Sequence, residues 1–319
     1  MTKRAFVFPG QGSQVVGMGK ALADAFPAAQ AIFDEIDDAL EQKLSTIMFE
    51  GPNETLLLTE NAQPALMAVS MAVVRVLGEK GVNITENATY VAGHSLGEYS
   101  ALCAAGTFSV ADAARLLKIR GKAMQQAVPV GQGAMAALLG LEFAVVEEIA
   151  AEAGQGEVCD VANDNAPGQV VVSGALAAVE RAVELAKARG AKRALLLPVS
   201  APFHCALMAP AANAMQQALA DVHMQAPAVP LVANVLARPI SEPDEIRRRL
   251  VEQVTGMVRW TESVSWLTGE GEVTELVELG TGKVLTGLAK RINSDANATA
   301  IGLPEAIDDF AAELAGSKE

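Results

Sequence analysis

Residues 89–106 read TYVAGHSLGEYSALCAAG, and few folds accommodate such a run. TYVAG is a short β-prone stretch and GEYSALCAAG is helix-forming, yet only His94, Ser95 and Leu96 separate Gly93 from Gly97. A strand, a sharp turn and a helix in that order is the repeating unit of a largely parallel sheet with helices packed on its faces. Further strand candidates are RAFVF (4–8), VPLVANV (229–235), VTELVELG (273–280) and TAIGL (299–303), with helical patterns between them. The segment NAQPALMAVSMAVVRVLG (61–78) predicts a buried helix, with Pro64 in its first turn and a glycine past its end. A doubly wound sheet accounts for this alternation.

The middle of the chain has its own order. AMAALL (134–139), FAVVEEIAAEA (143–153), EVCDVAN (157–163), QVVVSG (169–174), ALAAVERAVELAKARG (175–190) and RALLLPV (193–199) read as βαββαβ. That order is the split βαβ arrangement of ferredoxin-like units. The expected fold class is therefore α/β: a large α/β-hydrolase-like domain with a parallel sheet, plus an inserted small ferredoxin-like domain. The large domain is expected to be discontinuous, over 1–129 and 199–319, with the insertion at 130–198. VPVGQG (128–133) and LPVSAP (197–202) supply the two crossings, which implies a cleft between the units.

Composition excludes several functional classes. Of the 319 residues 51% are apolar and 19% charged, which fits a packed globular protein rather than a disordered one. A formal net charge of −14 disfavours a nucleic-acid partner, because phosphate binding needs a basic face. No apolar run reaches the roughly 18 residues of a membrane span, and the N-terminus has no signal-like apolar stretch, so no membrane partner and a cytoplasmic location are expected. Cys103, Cys159 and Cys205 are too scattered for a disulfide framework or a metal knuckle, so reduced thiols and no metal are expected.

Within the turn, Ser95 sits in a GxSxG pattern. Two readings fit it. In a nucleophile elbow the flanking glycines Gly93 and Gly97 remove side chains that would clash, and the following helix aims free N–H groups at a developing oxyanion. Alternatively, Ser95 merely caps that helix. A serine nucleophile needs a base, and the chain has three histidines. His94 should point away from the Ser95 side chain, and His223 lies at the polar end of the helix pattern ALADVHMQ, where a surface histidine is the ordinary expectation. His204 remains, in the irregular stretch PVSAPFHCALMAP where the chain returns from the insertion.

Taken together, FPGQGSQ (8–14), AQPAL (62–66), GHSLGEYSAL (93–102), RG (120–121), NxNxPxQxxxSG (163–174), FH (203–204) and ELGxGxVLTGL (278–288) resemble the malonyl-CoA:acyl carrier protein transacylases of bacterial type II fatty acid synthesis. The resemblance spans essentially the whole chain. It implies a ping-pong transfer in which Ser95 takes malonyl from CoA and gives it to the phosphopantetheine thiol of acyl carrier protein, with His204 as base. It also implies a backbone carbonyl near Gln253 that orients His204, and an oxyanion hole from the N–H groups of Leu96 and Gln14. The CoA thioester is substrate, and no cofactor is expected. Gln63 and Asn163 are further candidates for the cleft wall, and Phe203 is compatible with malonyl.

Arg120 lies in AARLLKIRGKAM, among core-facing leucines. Taken by itself it reads as an ordinary surface arginine. With RG in register, the resemblance makes it the group that grips the malonyl carboxylate through two parallel hydrogen bonds. GQGSQ is not a dinucleotide fingerprint, since Val15 stands where a third glycine is needed. GTGKV (280–284) is not a phosphate loop, since Val277 and Val284 replace the required glycine and hydroxyl residue. An acidic carrier protein docking on this acidic chain needs a local basic patch. Lys187, Arg189, Lys192 and Arg193 offer one, and Lys290 and Arg291 a second. A monomer is expected. Two rival classes share these features: a serine hydrolase or thioesterase, and a non-catalytic acyl-CoA binder.

Overall fold

The structure is a computed structural model that describes residues 2–199 and 201–316. Ser200, in the expected LPVSAP crossing, lies outside the described residues. In chain order the strands are β1 (Arg4–Phe8), β2 (Tyr90–Gly93), β3 (Gly133–Leu139), β4 (Cys159–Ala166), β5 (Gln169–Ala175), β6 (Arg193–Leu196), β7 (Leu231–Ala233), β8 (Arg238–Ile240), β9 (Val258–Arg259), β10 (Glu275–Leu279) and β11 (Asn297–Ile301). Among the described residues they form two sheets, ordered β11-β10-β1-β2-β7-β8 and β6-β3-β5-β4-β9. With the helices around them, the chain is a mixed α/β protein.

In the six-stranded sheet the pairings from β11 to β7 are all parallel, and β8 adds antiparallel at one edge. A strand covered on both faces must be apolar throughout. Phe6, Val7, Phe8, Val91 and Ala92 are accordingly buried. The helix Thr59–Glu79 runs through the core and begins two residues earlier than its sequence pattern suggests. Pro64 therefore lies inside it rather than in its first turn, and Gly78 is helical rather than past the end. Burial of most of this helix outweighs the hydrogen bond that Pro64 cannot donate.

The strand and helix order of the middle segment is the βαββαβ read from the sequence. In its sheet β3 pairs antiparallel with β5 and β6, and β4 antiparallel with β5. The last strand, β9, comes from much later in the chain and joins β4 in parallel. Side chains alternate across the sheet with period two. Val170 and Val172 face the helices Phe143–Gly154 and Leu176–Ala188, whereas Met135 and Val171 face the larger core and the cleft between the two sheets.

The glycine loop 280–282 leads into the helix Val284–Ile292, and that helix N-terminus is already occupied. The buried Glu278 carboxylate accepts from the N–H groups of Leu285 (3.1 Å) and Thr286 (2.7 Å) and from the Thr286 hydroxyl (2.7 Å). An internal carboxylate thus takes the place a phosphate would seek.

Candidate active site

Strand β2 ends at Gly93 in the middle of the parallel sheet, and the helix Gly97–Ala104 starts four residues later. The reversal leaves no room for side chains. A Cβ on Gly93 would lie 1.9 Å from the Gly97 carbonyl carbon, and one on Gly97 would lie 2.3 Å from the Phe8 oxygen. Between them Ser95 adopts φ 53°, a left-handed conformation uncommon for a residue with a side chain. Asn234, just past β7, holds the turn: its Oδ1 accepts from Ser95 N–H at 2.8 Å and its Nδ2 donates to Gly93 O at 2.7 Å.

His204 is the second left-handed residue of the site, at φ 57°. Its Nε2 lies 2.7 Å from Ser95 Oγ, and its Nδ1 lies 2.9 Å from the Gln253 carbonyl oxygen and 3.1 Å from that of Gly256. Two carbonyl acceptors can face Nδ1 only if it carries the proton, which leaves Nε2 free to accept from the Ser95 hydroxyl. Burial, together with the nearby Arg120 cation, pushes the imidazole down to about 3, so it stays neutral near pH 7. Among the described residues no carboxylate orients it.

Arg120 is 1% exposed, on the helix Val110–Ala127. Its Nη1 donates to Gln63 Oε1 at 2.8 Å, and its Nη2 donates to Gln253 Oε1 at 2.8 Å and to Ser95 Oγ at 3.1 Å. The guanidinium lies 5.8 Å from the centre of the Tyr99 ring, and its Nε has no hydrogen-bond partner among the described residues. These acceptors are two amide oxygens and a hydroxyl, so the buried cation forms no ion pair with a carboxylate among the described residues. Uncompensated charge of this kind is costly and favours an anionic ligand.

These side chains open into a cleft of about 810 Å³. Ser95, His204, Arg120, Gln14, Leu96, Gln63, Asn163 and Phe203 all line it, while Met135, Val171 and Leu197 supply apolar surface on the side of the smaller sheet. Gln14 Oε1 accepts from Gly12 N–H at 2.7 Å. Among the described residues the backbone N–H groups of Leu96 and Gln14 have no acceptor of their own. His94 turns to other partners than Ser95 Oγ, with Nε2 2.8 Å from Asn165 Oδ1 and its ring packed on Trp260, and it also lines the cleft. His223 is exposed beyond the helix Ala209–Ala220, as a surface histidine should be.

The basic residues expected to dock the carrier protein stand apart, and none of them lines the cleft. Lys187 pairs with Glu184 at 2.7 Å, and Arg189 pairs with Glu148 at 3.1 Å and also with Glu152. Arg291 donates to Gln169 Oε1 and Pro167 O. Lys192, Arg193 and Lys290 are exposed and have no carboxylate partner among the described residues.

Sequence reasoning passed over Glu98, Asn165, Asn234, Gly256 and the Gln253 side chain. Glu98 is 1% exposed; its Oε1 accepts from Asn234 N–H at 2.6 Å and its Oε2 from Gln253 Nε2. Burial pushes this carboxyl up to about 8, against the pull of its donors and of Arg120. An acidic residue in the first turn of an otherwise apolar helix was the available signal. No group of three or more metal-binding side chains gathers among the described residues.

A family model described as an acyl transferase domain matches residues 5–290. The chain belongs to the acyl transferase family. It is 47% identical over 309 residues to a malonyl CoA-acyl carrier protein transacylase of Bacillus subtilis, covering 97% of this chain and 96% of that one. Among solved structures it is similar to an acyl-carrier-protein S-malonyltransferase from Bartonella henselae, with TM-score 0.96, 58% identity, and 98% and 100% of the two chains covered. A malonyl-transacylase solved in complex with its type II polyketide acyl-carrier protein superposes with TM-score 0.94 at 44% identity, over 98% of this chain and 100% of that one. As an acyltransferase, the chain is an enzyme, and the pattern that ran through its motifs is that of its family.

Proposed function

We propose that this acyltransferase moves malonyl from malonyl-CoA to the phosphopantetheine thiol of acyl carrier protein, in two steps through a malonyl ester on Ser95. His204 Nε2 takes the hydroxyl proton as Ser95 Oγ attacks the thioester carbonyl. The N–H groups of Leu96 and Gln14 receive the oxyanion of the tetrahedral intermediate. As that intermediate collapses, the C–S bond breaks, and the imidazolium returns its proton to the departing CoA sulfur. In the second step His204 takes the proton from the carrier thiol, whose sulfur attacks the ester, and Ser95 leaves with that proton.

Arg120 is assigned to the malonyl carboxylate. One observation carries the reading: Ser95 Oγ stands within hydrogen-bond reach of a neutral imidazole and of a buried guanidinium that pairs with no carboxylate among the described residues. Pairing Arg120 with the substrate would also remove an uncompensated charge beside the imidazolium that forms during attack. Names of the relatives support both malonyl-CoA and a carrier-protein acceptor. With this function go an α/β-hydrolase-like catalytic domain over 1–129 and 199–319, a ferredoxin-like insertion over 130–198, and a cytoplasmic monomer in fatty acid synthesis. The sheet order β6-β3-β5-β4 supports the ferredoxin-like description.

Brief incubation with malonyl-CoA followed by intact-mass measurement tests the intermediate. The expected result is one added malonyl group, absent in Ser95→Ala and discharged by carrier protein as a new thioester. Free malonate as the main product would identify a hydrolase, and no adduct would leave only a binder.

A further inference from the structure

The side-chain amide of Gln253 joins parts of the site that its backbone carbonyl does not. Its Oε1 accepts from Arg120 Nη2 at 2.8 Å, while its Nε2 donates to Ser95 O at 2.9 Å and to Glu98 Oε2. A primary amide has one acceptor end and one donor end of nearly equal size. Rotated by half a turn, it would set its NH2 against the guanidinium and its oxygen against two acceptors, and the contact with Arg120 would be lost.

The neighbour that forbids this rotation with a charge is Glu98. Both carboxylate oxygens face donors, Asn234 N–H on one side and Gln253 Nε2 on the other. Among the described residues neither oxygen is hydrogen-bonded to an acceptor, so these hydrogen bonds favour the ionised form, against the burial that holds the carboxyl up to about 8. Arg120 is steered in turn by two amide oxygens, Gln63 Oε1 on Nη1 and Gln253 Oε1 on Nη2. Releasing one lets a long, buried side chain leave its register.

We propose that Glu98 is a positioning residue for acyl-group selection: its carboxylate fixes the orientation of the Gln253 amide and, through that amide, aims the Arg120 guanidinium. The inference rests on the malonyl reading above. It adds that selection depends on a carboxylate lying behind the cation, which never touches substrate.

Glu98→Gln separates this role from upkeep of the turn. The new side chain keeps an oxygen for Asn234 N–H but turns an NH2 toward Gln253 Nε2, donor against donor. Malonyl and acetyl loading of Ser95 are compared by intact mass on the alkaline side of pH 8, where the wild-type carboxyl is ionised. Malonyl loading efficiency is expected to fall about 10- to 100-fold, the range for a hydrogen bond to a charged group, and acetyl loading less than about 3-fold. In an Arg120→Ala background Glu98→Gln should leave the malonyl-to-acetyl ratio unchanged, because the residue it acts through is gone.

Equal losses for both acyl groups, no loss for either, or a further fall in the ratio without Arg120 would each overturn the relay. If Glu98→Gln gives no cooperative thermal transition, Gln253→Leu decides in its place. That variant keeps the backbone carbonyl on His204 and should show the same selective loss, and an unchanged ratio overturns the relay. Failure of wild-type protein to form a malonyl adduct would sink the functional reading itself. A normal wild-type adduct with an unaltered ratio in the variant would sink the relay alone.

Discussion

The turn at Ser95 and the cluster around Arg120 meet at one hydroxyl, yet they are built in opposite ways. The turn takes its shape from five consecutive residues, whose backbones approach too closely for a Cβ at Gly93 or Gly97, and a single distant side chain, Asn234, pins it. The cluster draws Gln63, Glu98, Arg120 and Gln253 from four helices and holds them by side-chain hydrogen bonds alone. A device fixed by the backbone suits the part of the reaction common to every thioester. A device made of side chains can be altered without unmaking the first, which suits recognition of the acyl group's far end.

The sharpest way to break this comparison is at Gly93. Alanine there places Cβ on top of the Gly97 carbonyl, and backbone must move to relieve it. A loss of more than about 3 kcal/mol of stability is expected, read from the denaturant midpoint, with malonyl and acetyl loading abolished together. Loss of one activity alone would mean that the turn also selects.

Arg120→Ala should do the reverse. Malonyl loading falls about 100-fold, as when a charged group loses its hydrogen-bonded partner, while acetyl loading is retained or rises. Competition between the two CoA esters, read by intact mass, checks this. An unchanged preference would remove the carboxylate clamp.

The contrast also explains what the sequence could tell. Gly93, Ser95 and Gly97 are legible because a local backbone constraint leaves a local pattern, and the βαββαβ order is legible because sheet and helix periods alternate cleanly. His204 was reachable by elimination among three histidines. The Gln253 side chain, Glu98 and Asn234 were not, because a polar residue on a helix or at a strand end looks the same whether it faces solvent or a buried partner far away in sequence. Strands β8 and β9 escaped for a different reason. They are three and two residues long, too short to show a period, and exist through pairing with strands already formed.

Acidity probes the joint between the two devices. Because burial and the Arg120 cation hold His204 down to about 3, the imidazole remains a base far below its ordinary 6.5. Acetyl loading, which the Glu98 relay leaves nearly untouched, should therefore stay flat from neutrality to about pH 5, without the usual histidine limb. In Arg120→Ala, with one of the depressing causes gone, that limb should move upward. For stability the sign follows from the same shift. The unfolded chain binds the His204 proton first, so this group's contribution is full above 6.5 and is lost as pH falls toward 3. A limb near 6.5 in the wild-type protein would show that the imidazole is solvated.

The smallest effect is expected farthest from both devices, on the basic surface proposed to meet the carrier protein. Not all of its members are equally free. Lys187 and Arg189 already face carboxylates of the same unit, whereas Lys192 and Arg193 carry no such partner among the described residues. A surface charge acts on encounter with an oppositely charged partner mainly when it is not already compensated. Reversing Lys192 and Arg193 to Glu should thus raise KM for carrier protein about 3- to 10-fold at low salt and less at high salt, with malonyl-CoA loading unchanged. Reversing Lys187 alone should do less, since the pair with Glu184 is lost along with the charge. If the Lys187 variant has the larger effect, or if loading and carrier transfer fall together, the carrier docks elsewhere and this patch serves only the smaller unit's own helix ends.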